Sequence, residues 1–157
     1  MVQCRSITCG YRLTDRFLNY GRQFIDEKDI DVVLGVLRSD FLTQGPAVEL
    51  FERSLCAYTG AKYAVAVSSG TAALHVSSLA AGMKPGDCGV TSTLTFVASA
   101  NAFLYCGSDA NVIDIDPYSL SLSTQGLEKA IAQKDNIKVI VPVHYGGLAS
   151  DDITIKT

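Results

Sequence analysis

Residues 65–76 read VAVSSGTAALHV, and the fold turns on how that stretch is read. A short apolar run ends in Ser68, Ser69, Gly70 and Thr71, and good helix formers follow at once. The pattern predicts a buried strand over 64–67 and a helix over 71–81. The same alternation continues downstream. KPGD at 84–87 predicts a turn, a strand-like piece surrounds Val90, and a helix is expected from about Phe96 to Tyr105. A strand over 112–115, a turn at Asp116-Pro117, a helix over 124–133 and the apolar strand VIVPV at 139–143 complete the series. Strands separated by helices of this length imply right-handed crossovers and a mainly parallel sheet with helices on both faces.

Working the other way, Ile30, Val33, Leu34 and Leu37 repeat at helical spacing, with Asp26 and Asp29 near the start. TQGP at 43–46 breaks that helix. Pro46 then suits the first position of a second helix, with Val48, Phe51, Leu55 and Tyr58 on one face and Gly60 at its end. Residues 1–19 show no clean periodicity and are expected to be an N-terminal arm, leaving 20–157 as one α/β domain.

Composition narrows the function. The 157 residues carry a formal net charge of -3 with both signs scattered, which argues against nucleic-acid and membrane-surface roles. No run of eighteen apolar residues occurs, and the first twenty residues hold three arginines and no apolar block. The five cysteines include no CxxC pair, and the two histidines are not spaced from them as metal ligands, so no metal site is expected. Buried free thiols in the cytoplasm are the natural reading.

In parallel sheets, ligands gather at the carboxyl ends of strands. A helix beginning there offers free N–H groups and a positive dipole end, Gly70 admits close approach, and Ser68, Ser69 and Thr71 add hydroxyls. The stretch is neither a Walker loop nor GxGxxG. Two readings stand on these residues: a phosphate seat, or an ordinary N-cap.

SSGTAALH resembles the phosphate-binding motif of the DegT/DnrJ/EryC/StrS family of pyridoxal-phosphate-dependent sugar aminotransferases. The flanking blocks follow in the family's order: YGRQFIDEKDIDVVLGVLRSDFLTQGPAVELFE, TFVASANAFLYCGS, VIDIDP and VIVPVHYGG. The resemblance covers about Asn19 to Asp151. SDFLTQGP, TFVASANA and LYCG together look most like the branch that aminates C4 of UDP-linked keto sugars in pseudaminic acid synthesis. The likeness implies the N-terminal part of the large domain of a fold-type I transferase. It implies pyridoxal 5'-phosphate as cofactor, a nucleotide sugar and an amino-acid donor such as glutamate as substrates, and a homodimer. It places Ser69, Gly70 and Thr71 on the cofactor phosphate, Phe96 on the pyridine ring, and His144 and Tyr145 toward the cofactor and sugar pocket. Thr43 and Gln44, with Gly45, match a loop near the active site shared between two subunits.

Each of these has a plainer reading. Phe96 would otherwise be core, His144 a hydrogen-bonded structural residue, and TQG a plain turn. His75 is expected to be packed, Asp114 and Asp116 to serve a turn, and Asn101 is left unassigned. The family's Schiff-base lysine and pyridine-nitrogen carboxylate lie downstream of the PVH strand. None of Lys28, Lys62, Lys84, Lys129, Lys134, Lys138 and Lys156 has the lysine's setting. The chain thus resembles the front of a longer enzyme and alone is expected to be inactive. The alternatives are an inactive remnant, a binding subunit that needs a complementary chain, or an unrelated phosphate-binding module. GDCGVTSTLTF departs from the family pattern, and Gly89 is expected to weaken its strand.

Overall fold

The computed structural model describes residues 23–150, which fall into two compact units divided between Ala64 and Val65. The expected arm over 1–19 and Lys156 lie outside the described residues.

The first unit, 23–64, holds two helices. Helix α1 (Glu27–Leu37) starts where Asp26 accepts hydrogen bonds from the N–H groups of Lys28 and Asp29, at 2.9 and 3.2 Å. Asp29 accepts the Asp26 N–H in return at 3.0 Å, which satisfies the otherwise orphaned donors reciprocally. Helix α2 (Pro46–Thr59) has Pro46 at its first position and ends at Gly60, whose φ of 75° favours glycine. In the loop between them, Gly45 adopts a φ of 85°, and a β-carbon there would sit 2.8 Å from the Phe41 Cβ. Neither helix contains a buried residue.

The second unit, 65–150, is layered. Helix α3 (Gly70–Ala80) leads through the KPGD turn to strand β1 (Cys88–Ser92). Helix α4 (Ala98–Tyr105), strand β2 (Asp109–Ile113), helix α5 (Thr124–Gln133) and strand β3 (Ile137–Val141) follow. The sheet is wholly parallel in the order β2-β1-β3. Its two faces are covered by different helices. Val90, Ile113, Ile137 and Ile140 meet Leu127 and Ala130 of α5 and Leu122 of the preceding turn. Ala110, Val139 and Val141 meet Phe103 and Cys106 of α4, with Met83. The expected α/β class, with a parallel sheet between helices, is therefore the observed one.

Four local expectations change. No strand forms over 64–67, because a strand exists only through pairing with a neighbouring backbone, which apolar side chains do not supply. β3 ends at Val141, since Pro142 has no N–H for a ladder. It also carries a bulge: Cys88 pairs with Ile137 and Gly89 with Val139, so Lys138 is skipped. That skip lets Ile137 and Ile140 point to one face and Val139 and Val141 to the other. β2 ends at Ile113, and the next N–H but one, that of Ile115, bonds to the Asp114 carboxylate at 2.8 Å.

The fourth concerns Gly89, which is built into the fold. A β-carbon on it would run into the Phe103 ring, so the bare backbone is what lets the fully buried ring lie on β1. Cys88 and Cys106 are buried free thiols, as expected, and Cys56 is a half-buried one. Among the described residues no helix is long and apolar enough to cross a membrane.

Candidate functional site

The site residues fall into three groups. At the start of α3, Ser69 is extended, and its Oγ accepts the Ala72 N–H at 3.1 Å. The N-cap reading thus holds for Ser69. It does not exhaust the helix end: among the described residues the N–H groups of Gly70 and Thr71 have no acceptor. A β-carbon on Gly70 would meet nothing within 4 Å. The helix start therefore presents two free donors, the positive end of an eleven-residue helix and open space.

The second group lies at the carboxyl edge of the sheet. Phe96 follows β1 by four residues and precedes α4, and its side chain is 75 % exposed. Among the described residues it is not packed in a core. Its carbonyl accepts the Ser99 N–H at 3.0 Å, and Thr95 Oγ1 donates to Ser99 Oγ at 2.8 Å, which holds the segment in place. His144 follows β3 by three residues. Because β1 and β3 are parallel neighbours, Phe96 and His144 emerge from the same edge. His144 Nδ1 lies 3.0 Å from the Ser150 nitrogen and 2.8 Å from Ser150 Oγ. Tyr145 opens a short 3-10 turn (Tyr145–Gly147) and is 44 % exposed. No hydrogen bond joins these residues to Ser69, Gly70 or Thr71, although α3 packs on α4.

The third group, Thr43 and Gln44, belongs to the first unit. Gln44 has a φ of 57°, which is uncommon outside glycine.

The remaining candidates are structural. Asp116 accepts from the N–H groups of Ser119 and Tyr118, at 2.8 and 3.0 Å, and from Ser119 Oγ at 3.0 Å. Those bonds, that of the Ser119 N–H first, hold its carboxyl below the usual aspartate value. His75 stands edge-on to Tyr105, with ring centroids 5.4 Å apart. The lysines of the second unit lie elsewhere: Lys84 precedes β1, Lys129 is in α5, Lys138 is at the bulge, and Lys134 Nζ is 3.9 Å from Cys88 Sγ. Ser150 had no signal in the sequence, being one small residue six positions past a histidine.

A parallel α/β layer with an open helix start, and with aromatic and imidazole side chains at its carboxyl edge, is a ligand-binding architecture. Residues 23–156 match the DegT/DnrJ/EryC1/StrS aminotransferase family, and the chain belongs to it. It is 40% identical over 137 residues to the spore coat polysaccharide biosynthesis protein SpsC of Bacillus subtilis strain 168, covering 87% of this chain and 35% of SpsC. Among solved structures, Spr1654 of Streptococcus pneumoniae in its PMP form, described as a sugar aminotransferase, superposes with a TM-score of 0.80 at 31% identity. That match covers 85% of this chain and 33% of Spr1654. NtdA of Bacillus subtilis with bound cofactor PMP gives 0.76 at 33% identity, over 84% of this chain and 31% of NtdA. The chain thus spans about a third of the length of the proteins it matches.

Proposed function

We propose that this chain carries the phosphate- and ring-binding part of a pyridoxal-phosphate-dependent aminotransferase. In this reading the whole enzyme moves an amino group from an amino acid such as glutamate to C4 of a nucleotide-linked keto sugar, in the cytoplasm and as a homodimer. The observation that carries the reading is the helix start at Gly70: two unpaired N–H groups, an open approach and flanking hydroxyls, in a member of this family. The PMP and PLP forms of Spr1654 and the PMP bound to NtdA support the cofactor. SpsC's place in polysaccharide synthesis supports a sugar substrate. The C4 assignment rests on SDFLTQGP, TFVASANA and LYCG.

The residues fit the group. The Gly70 and Thr71 N–H groups and the Ser69 and Thr71 hydroxyls would donate to the phosphate. Phe96 offers a flat apolar face for the ring. His144 and Tyr145 would contact the cofactor and sugar from the end of β3, and Thr43 and Gln44 the substrate. When bound, the cofactor supplies an electron sink for chemistry at the amino acid's α-carbon. Among the described residues of the second unit no lysine stands at the carboxyl edge to move a proton at that carbon, and in this reading the chain by itself is inactive.

Titration with pyridoxamine phosphate, which needs no lysine, tests the reading by fluorescence. Phe96→Ala should weaken binding about tenfold, roughly 1.4 kcal/mol. Unchanged affinity removes Phe96 from the site, and turnover of a UDP-keto sugar by this chain alone contradicts the assignment of its parts.

A further inference from the structure

The geometry points to Ser150 as a positioning residue that holds His144 as a neutral hydrogen-bond donor through Nε2. The inference rests on the proposed function for the nature of the ligand, but not for the geometry. A backbone N–H can only donate. With the Ser150 nitrogen donating to His144 Nδ1 at 3.0 Å, that ring atom carries no proton. The proton of the neutral imidazole is then on Nε2. Ser150 Oγ, 2.8 Å from the same atom, can add a second donor to it.

The bond is part-buried and its path is shaped. Ser150 is only 6 % exposed, while the imidazole it holds is exposed. The chain returns to His144 through Gly146 and Gly147, whose φ values of 62° and 86° favour glycine. The Gly147 N–H donates to the His144 carbonyl at 3.3 Å, and the Leu148 N–H to that of Tyr145 at 3.1 Å. The loop thus closes on the histidine that opens it.

Nε2 is left over. It makes no hydrogen bond among the described residues, and His144 is exposed at the sheet edge from which Phe96 also emerges. What remains on the exposed histidine is the Nε2 N–H, which among the described residues has no acceptor. Its partner is an oxygen: a phenolate or phosphate oxygen of the cofactor, or a hydroxyl or carbonyl oxygen of the sugar.

A 15N magic-angle-spinning spectrum of the histidine-labelled full chain tests this. The chain has two histidines, and His75→Gln assigns the other. The expected wild-type spectrum shows one neutral tautomer for His144, with Nε2 protonated and a bare Nδ1 shifted from the value of unbonded imidazole. Ser150→Ala keeps the N–H and should keep the tautomer. Ser150→Pro removes both donors and should yield a mixture of tautomers. If the proline variant does not fold, the wild-type spectrum decides: a protonated or unshifted Nδ1 overturns the proposal. Added pyridoxamine phosphate should move Nε2 if the acceptor is on the cofactor, and UDP-N-acetylglucosamine if it is on the sugar. Binding of both with no movement of Nε2 overturns the donor role. Failure of either to bind would count against the proposed function, while the tautomer would still test Ser150.

Discussion

Helices α1 and α4 are held by opposite means. α1 has eleven residues, a reciprocal cap at its start and no buried residue. α4 has eight residues and no side-chain cap, yet it buries Ala98, Ser99, Ala102 and Phe103. A helix as short as either is marginal alone, so each needs help beyond propensity. For α1 the described help is local, in two carboxylates that close its first turn. For α4 it is tertiary, in a ring seated on a glycine of the neighbouring strand β1. The difference predicts which substitutions each region feels.

The largest effect should fall on the packed region. Gly89→Ala drives a β-carbon into the Phe103 ring and should cost about 2–3 kcal/mol, read as a lower midpoint in denaturant. Phe103→Leu in the same chain should recover part of the loss by clearing the space. A neutral Gly89→Ala would break the comparison, because the close approach would then not hold α4. Asp26→Ala should act on α1 alone and cost that helix about 1 kcal/mol, seen as fraying of its first turn by amide exchange. An equal loss in α4 would mean that the regions are not separately held.

The smallest effect is one of pH. Asp116 has its carboxyl lowered by the bonds from Ser119 and Tyr118, so its charged form supports the 116–121 turn. For a lowered carboxyl the contribution is complete above the unfolded aspartate value, near about 3.9, and is lost as pH falls through the lower folded value. Protection of the Ser119 and Tyr118 amides, relative to their intrinsic exchange rates, should fall over that acid range and hold above it. Asp116→Asn should remove the dependence.

The same contrast explains what could be read in advance. Features written locally were legible: Pro46 and Gly60 bound α2, Asp26 starts α1, and α5 spans the expected 124–133. So was the layered α/β plan, since it follows from the order of elements. Features that depend on a distant partner were not. The run at 64–67 has strand-like side chains but forms no strand, and Gly89 looked like a weakness until Phe103 was seen against it. The bulge at Lys138 answers a neighbour's register, not β3's own pattern. At the site, Ser69–Thr71 could be picked out by its helix-start chemistry. Ser150 could not, because its role is a loop closure onto His144.

The central claim is that the start of α3 seats a phosphate. Gly70→Val tests it most directly, because the added side chain meets open space within the protein and should leave the fold intact. Titrated with pyridoxamine phosphate, the variant should bind tenfold to a hundredfold more weakly than the parent chain, about 1.4–2.8 kcal/mol, with its denaturation midpoint little changed. Equal affinity in the two proteins would contradict the claim and leave Ser69 as a helix cap and nothing more.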